Sequence, residues 1–539
     1  MGSEKSAILS FSTNRKASEE NMTMDVTTLA EQKYDLLERK LDIGESILDS
    51  INPRGRYQFW ILVIAFTLAV GTGFVVCLPS YLAPDPIPEC ADLSNPGVYK
   101  LCLESEACAL LRQGKDAKLR LVSGSWTDLY GLTCDKAYHR KDGMTVMIFM
   151  NGSMPLFALY LSDIYGRTTG FAFSYLCLIL GFSMSYFVND YIIGMAGIGL
   201  MNGCCGVVYA CLFTVYSTEV TTSKTKLRSI IVGMSFLGYG LGSIVVNLFA
   251  YISTAPAFLL MMSFGITGVP GFLCLFLVES PMFELDRGNL DKFEKLITRI
   301  GKFNGVKIED DMQHNSRIDQ LRTLVAQTQE ISKYQKSRSI MFRYPILALL
   351  SSKMYFRRFL IFSIIACNLY CISFGMTVNM QGLGMKDINL NGIIFGVTQS
   401  IGYMVVIPFA QKMPRRLWSI IFQFIMLGGS GILIGMSLML DQNNNTVLLA
   451  ESIVSCVMFA IPLSAMFTII FIHVAESFPP ELRGTANSLV MLTSNLFAML
   501  TPYFGDIAND IGLHFGVGCS VVCFISLPLA FTLKETLFK

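Results

Sequence analysis

The stretch Leu161-Ser162-Asp163-Ile164-Tyr165-Gly166-Arg167 stands between two apolar runs, residues 143–162 and 171–188. A helix crosses hydrocarbon with roughly 20 apolar residues, so each run is long enough to span a membrane. The charged piece between them is then a turn in water joining two membrane helices. Gly166 permits the tight reversal. Asp163 falls near the N-terminus of the second run, where the helix dipole and unpaired N–H groups favour a carboxylate. Arg167 is placed to pair with a carboxylate from a neighbouring helix end or to bind lipid phosphate.

Outward from this turn the same pattern recurs. The chain has 539 residues, 52% hydrophobic and 15% charged, with a mean hydropathy of +0.50. That is more apolar surface than one soluble core needs. Twelve runs qualify as spans: 57–79, 143–162, 171–188, 191–216, 230–253, 257–278, 357–380, 391–411, 417–440, 447–474, 486–506 and 513–533. The fold class is therefore an all-α membrane protein. A net charge of +2 gives no basic footprint for nucleic acid. The N-terminus carries Lys5, Arg15 and Lys16 with no early apolar core, unlike a cleavable signal peptide.

Positive charge gathers on one side of the spans. Arg54 and Arg56, Arg167, Lys224 with Lys226 and Arg228, Lys412 with Arg415 and Arg416, and Arg483 share that side. The short connections opposite carry Asp190, Lys386 with Asp387, Asp441, Asp506 and Asp510. Both termini are expected to be cytoplasmic, in the plasma membrane or an intracellular one. Residues 1–56 form a polar N-terminal segment, helical over Leu29 to Leu48, with Tyr34, Leu37, Leu41 and Ile47 giving a weak apolar face. That face suits lying along the membrane or packing on the loop domain. Residues 57–278 form a first group of six spans, 357–533 a second, and 534–539 a tail. Between the groups, residues 279–356 form a soluble linker with a helix carrying Phe293, Leu296, Ile297 and Ile300 on one face and a further helix over 318–332.

Residues 80–142 are too long for a turn and make an ectodomain holding Cys90, Cys102, Cys108 and Cys134. Four thiols in an outward loop suggest two disulfides with three pairings open, a metal site or free thiols being the alternatives. Asn444-Asn445-Thr446 is one glycosylation acceptor on the same side.

Six spans, a linker and six spans, with a charged turn between the second and third, resemble the major facilitator superfamily. Asp163, Gly166 and Arg167 match its turn signature, with Ile164 and Thr168 where two arginines are usual. Glu279-Ser280-Pro281, Gly288 and Gly301-Lys302-Phe303-Asn304-Gly305 are similar to the linker of the organic cation, organic anion and carnitine transporter family. Gly55-Arg56-Tyr57-Gln58 resembles that family's entry to the first span, and Ser125-Trp126-Thr127-Asp128-Leu129 with Cys134 the end of its ectodomain. Glu476-Ser477-Phe478-Pro479-Pro480 with Arg483-Gly484 matches a further family passage. Asn379-Met380-Gln381-Gly382-Leu383-Gly384 with Ile394-Phe395-Gly396 looks most like the organic-anion branch.

The resemblance implies a carrier of small organic solutes, ions or zwitterions, in which two pseudo-symmetric six-helix bundles rock about a central site. Asp163 with Arg167, Glu219 with Arg228, and Glu476 with Arg483 facing Arg415 and Arg416 are the expected gating charges. Partly exposed pairs of this kind are each worth ~1 kcal/mol or less. At the family's charge-selecting positions this chain has Gln399, Tyr403 and Asn495, all neutral. A fixed charge in mid-membrane is costly unless it meets a substrate or counter-ion, so a neutral lining is informative. The expected lining is Asn151, Asn202, Tyr209, Asn368, Phe374, Gln399, Tyr403, His473 and Asn495, with Glu451 at a solvated helix end. No metal or cofactor site and no enzyme or ATPase motif is read; membrane lipid is an expected neighbour, and oligomeric partners are left open. The alternatives are a sugar-porter-like carrier and a carrier homologue that serves as a receptor or a structural subunit.

Overall fold

The computed structural model describes residues 36–533 except 37–38, 41, 52–54, 92–98, 103, 115, 207–212, 222–226, 307–315, 329–344, 379–387, 407–413, 440–444, 479 and 504–515. The chain divides into two compact units: residues 1–58, 219–225 and 280–348, and residues 59–218, 226–279 and 349–539.

The larger unit is built from long helices. They are α1 (Arg56–Leu82, which begins in the smaller unit), α2 (Ala137–Tyr165), α3 (Arg167–Phe187), α4 (Tyr191–Gly206), α5 (Leu227–Ile252) and α6 (Pro256–Cys274). The second group is α7 (Lys353–Val378), α8 (Ile388–Val406), α9 (Arg415–Met439), α10 (445–477), α11 (Pro480–Ala498) and α12 (Gly516–Ala530). Each expected span carries one of them, and eight are long and apolar enough, as described, to cross a membrane unaided. α10 is three pieces, Asn445–Ser455, a π turn Cys456–Ala460 and Ile461–Ser477. Pro462, which has no N–H to donate, follows that turn directly. Within the first group α2 and α3 both pack on α4; within the second, α7 packs on α11 and α12, and α9 on α12. The two groups meet where α2 lies against α11 and α5 against α8.

The segment between α1 and α2 folds into a three-stranded antiparallel sheet in the order β2-β1-β3, with β1 at Ile87–Ala91, β2 at Tyr99–Leu101 and β3 at Ala117–Arg120. Of the three pairings left open by the sequence, the structure joins Cys90 to Cys102 and Cys108 to Cys134, with Cα atoms 5.8 and 5.5 Å apart. Strand register decides the first: Cys90 lies opposite Lys100, two residues from Cys102. Arg140, in the first turn of α2 and 5% exposed, ties this loop domain down by pairing with Glu104 at 2.6 Å and Asp85 at 3.1 Å. Nothing in the sequence pattern singled it out.

In the smaller unit the linker helix Leu290–Asn304 buries Phe293, Ile297 and Ile300, the apolar face expected for it. Residues 316–328 form the second linker helix. The N-terminal helix buries Ile47, Leu48 and Ile51 and packs on the linker: Lys40 Nζ lies 3.1 Å from Asp286, and Arg317 donates to the Ser46 carbonyl at 3.4 Å. Asn304 accepts the Tyr57 N–H at 2.9 Å and donates to the Ile51 carbonyl at 2.9 Å and to Gln58 at 3.2 Å. A Cβ on Gly55 would overlap the Asn304 amide. The Gly55–Gln58 and Gly301–Gly305 passages, read separately in the sequence, are therefore two sides of one contact.

Peptide mapping without reductant should return 90–102 and 108–134 as the linked cysteine pairs. A 90–108 or 102–134 linkage would contradict the strand register above.

Candidate functional site

At the turn that opened the reading, α2 ends at Tyr165 and α3 begins at Arg167. Gly166 has φ +114°, a region that L side chains avoid, so glycine is required there. The carboxylate that serves the N-terminus of α3 is not Asp163. It is Glu279, which follows α6 and accepts the Arg167 N–H at 2.7 Å, the Thr168 N–H at 3.1 Å and the Thr168 hydroxyl at 2.6 Å. Asp163 instead sits in the last turn of α2, where a negative charge is unfavourable to the helix dipole. It is compensated by Arg167, whose Nη1 donates to it at 2.5 Å and to the Ser162 hydroxyl at 2.9 Å. The expected pair thus forms within one half, and Glu279, known beforehand only as a motif residue, completes it.

Asp163 also faces the other half: a Cβ on Gly484 of α11 would lie 2.9 Å from its Oδ2. Glu219 is part-buried, Arg415 is buried and Arg416 is exposed. The side chains of Arg228, Glu476 and Arg483 lie outside the described residues, as do Tyr209 and the Asn379–Gly384 passage. Arg358 of α7, which the sequence did not flag, donates to the Ser477 carbonyl at 2.8 Å.

Between the halves, hydrogen bonds form at and below the loop-domain end. Along α2, the Tyr503 hydroxyl, beyond the end of α11, donates to Asp142 at 2.7 Å, Thr145 donates to the Met499 carbonyl just after α11 at 3.3 Å, and Asn151 donates to Asn495 of α11 at 3.3 Å. A Cβ on Gly152 would overlap the Asn495 Cβ, so glycine lets the helices close here. Ser80 of α1 donates to the Thr377 carbonyl of α7 at 2.7 Å. Ser243 of α5 donates to Gln399 of α8 at 3.4 Å. Asn151, Asn495 and Gln399 therefore meet across the seam, as partners of the opposite half.

Below these amides, seven rings run through α5, α7, α8 and α10. Phe236 stacks on Tyr403 with centroids 5.5 Å apart, and Tyr239 meets Tyr403 edge-on at 6.4 Å. Phe236 reaches Phe471 at 6.2 Å, Phe471 stacks on Phe467 at 6.4 Å, and Tyr370 meets Phe467 edge-on at 5.2 Å and Phe374 at 6.1 Å. Tyr403 and Phe374 were expected at the site. The other five were not named, because aromatics at helical spacing read equally well as packing.

Three further lining candidates are buried. His473 is fully buried and packs edge-on against Phe362 at 5.2 Å, apart from the ring cluster. Asn368 bonds within its own half, donating to Ser526 at 2.8 Å, while Ser526 donates to Gln423 at 3.0 Å. Asn202 is buried in α4. Glu451, expected to be solvated, is 3% exposed in α10, because the helix extends past it to Asn445 and covers it with neighbours. No group of three metal-ligating side chains occurs among the described residues.

Two groups of six helices joined along a seam are the architecture of a multi-pass membrane carrier. The chain belongs to the Major Facilitator Superfamily, whose family model matches residues 143–502. It is 25% identical over 419 residues to "Organic cation/carnitine transporter 2" of Rattus norvegicus, covering 75% of this chain and 67% of that protein. The Homo sapiens protein of the same name is 26% identical over 428 residues, with the same coverage of 75% and 67%. Among solved structures, the proton:xylose symporter XylE bound to 6-bromo-6-deoxy-D-glucose superimposes with a TM-score of 0.59 at 15% identity, covering 88% of this chain and 94% of that one.

Replacing Glu279 by alanine should leave the first N–H groups of α3 without their acceptor and cost about 1–3 kcal/mol in detergent unfolding. Glu279→Gln, which keeps an acceptor oxygen, should cost less; equal stability of all three proteins would contradict the capping role.

Proposed function

We propose that this transporter carries small organic cations or zwitterions, exposing a central site alternately to the two sides of the membrane. The observation that carries this reading is the seven-ring cluster, set among helices whose mid-lengths lack a cation. α8 has no charged residue at all, and the charges of α7, Lys353, Arg357 and Arg358, lie in its first turns. Ring faces present negative quadrupole potential, so a desolvated ammonium group is held by aromatic side chains without a fixed counter-charge. An anion would meet no such partner. The printed names of the relatives, which speak of organic cations and carnitine, support the same class.

In this reading Tyr403 and Phe374 touch the solute, together with Tyr239, Tyr370 and Phe467. Tyr209, outside the described residues, is kept as a candidate on the first half. Gln399, Asn151 and Asn495 hold the halves together around the site and exchange those bonds as the halves tilt. The sugar-carrier alternative needs Gln399 and Asn495 as hydroxyl ligands, yet each already has a partner across the seam. Asp163, Arg167, Glu219, Arg228, Arg415, Arg416, Glu476 and Arg483 stabilise the closed turn end, and Glu279 keeps the first of these pairs rigid. The basic side of the spans supports cytoplasmic termini, with the plasma membrane as the host membrane in this reading and lipid headgroups beside its arginines.

Purified protein in liposomes, offered radiolabelled tetraethylammonium, carnitine, an aromatic carboxylate and a hexose, should take up the first or second. Tyr403→Leu should raise the half-saturation concentration by about tenfold or more, the equivalent of one desolvated cation–π contact, while Tyr403→Phe changes it little. Uptake of the carboxylate or the hexose alone would overturn the assignment.

A further inference from the structure

We infer that Tyr81, Asn247 and Gly392 form the gate that closes the loop-domain end over the ring cluster. The inference rests on the alternating exposure proposed above and assigns it to particular side chains. Three helices contribute, each at two levels. On α1, Cys77 and Tyr81 are one turn apart; on α5, Ser243 and Asn247 are one turn apart; on α8, Gly392 and Gln399 are two turns apart. They stack as two layers.

In the upper layer the Tyr81 hydroxyl donates to Asn247 Oδ1, and Asn247 Nδ2 donates to the Ser243 carbonyl at 2.5 Å. Asn247 is fully buried. A Cβ on Gly392 would overlap Asn247 Oδ1 and lie 2.6 Å from both Asn247 Nδ2 and the Tyr81 hydroxyl. In the lower layer the Cys77 thiol donates to the Ser243 hydroxyl at 3.5 Å, and that hydroxyl donates to Gln399 at 3.4 Å. Directly below come Tyr239 and Tyr403, one turn further along α5 and α8. A solute arriving from the loop-domain end meets the Tyr81–Asn247 pair first, then the Ser243–Gln399 bond, then the rings.

Gly392 decides whether the upper layer can form. Any side chain there needs the volume that the Tyr81–Asn247 pair occupies, so the two halves cannot close at this point. With the halves apart the same side chain no longer competes with that pair for volume. Bulk at position 392 therefore shifts the balance toward the state open at the loop-domain end. Cys77, 1% exposed beneath the pair, is a native reporter of that state.

The test places the protein in lipid nanodiscs, adds a hydrophilic maleimide and follows Cys77 by peptide mapping. Gly392→Leu should label roughly tenfold faster or more than the wild type, as expected when a minor open state becomes the major one. Tyr81→Phe, which only removes the hydroxyl bond, should label faster to a smaller degree, and it keeps the proposal testable where Gly392→Leu does not fold. Gly428→Leu on α9, where a Cβ meets nothing within 4 Å, should label at the wild-type rate. Wild-type labelling rates in both Gly392→Leu and Tyr81→Phe, or equal acceleration in Gly428→Leu, would overturn the gate. Full-rate solute uptake by Gly392→Leu would also overturn it, leaving the carrier reading intact. A wild type that moves no solute but shows the labelling difference would sink the carrier reading and still support the seal.

Discussion

Within the bilayer the two halves of this protein meet through neutral groups, a few hydrogen bonds beside packed rings, and most of the remaining structure follows from that. Asn151 meets Asn495, Ser243 meets Gln399 and Ser80 meets the Thr377 carbonyl. The Tyr81–Asn247 bond lies within the first half and shapes the face that Gly392 closes on. A buried neutral hydrogen bond is worth about 1 kcal/mol net. A seam that holds only a few such bonds beside packed rings can part without separating opposite charges. An ion pair in the same place would cost far more to separate in low dielectric. Glycines at 152 and 392 bring the helices close enough for these short groups to reach.

Charge is kept for the turn end, and there it builds rigidity within a half. Glu279 accepts three hydrogen bonds from the first turn of α3, and Arg167 reaches back to Asp163. The 2–3 turn is therefore a preassembled block. Its remaining reach is from Asp163 toward Gly484 of α11, and in the proposed carrier this is the part that a tilting motion makes and breaks. Mobile seam and rigid ends are complementary: halves that bent at their turns would not transmit a change at the ring cluster to either surface.

The twelve spans were legible because hydropathy over about 20 residues is a local property that tertiary packing does not override. The turn was legible in its residues and misread in its electrostatics. Asp163 is close in sequence to the N-terminus of α3, but Glu279, 112 residues away, reaches it. Pairings such as Asn151 with Asn495 lie 344 residues apart, so the sequence could nominate each amide and not the bond between them. The same limit left the disulfides open until the sheet set Cys90 opposite Lys100. His473 and Asn368 were nominated for being polar in a membrane helix. Asn368 bonds within its own half, which is the commoner use of such groups, and His473 packs against Phe362. Glu451 shows the reverse error: proximity to a span end was taken for exposure, yet α10 buries it.

Alternating exposure is tested most directly by measuring both ends of the seam at once. Spin labels at Tyr165 of α2 and Leu417 of α9 report the turn end, and labels at Ile252 of α5 and Leu449 of α10 report the loop-domain end; all four positions are exposed. Pulsed-resonance distances should show two populations at each end. Adding tetraethylammonium should shift their weights in opposite senses, one end closing as the other opens. A single unchanged distance at both ends, or two ends that widen together, would contradict a carrier that works by tilting its halves.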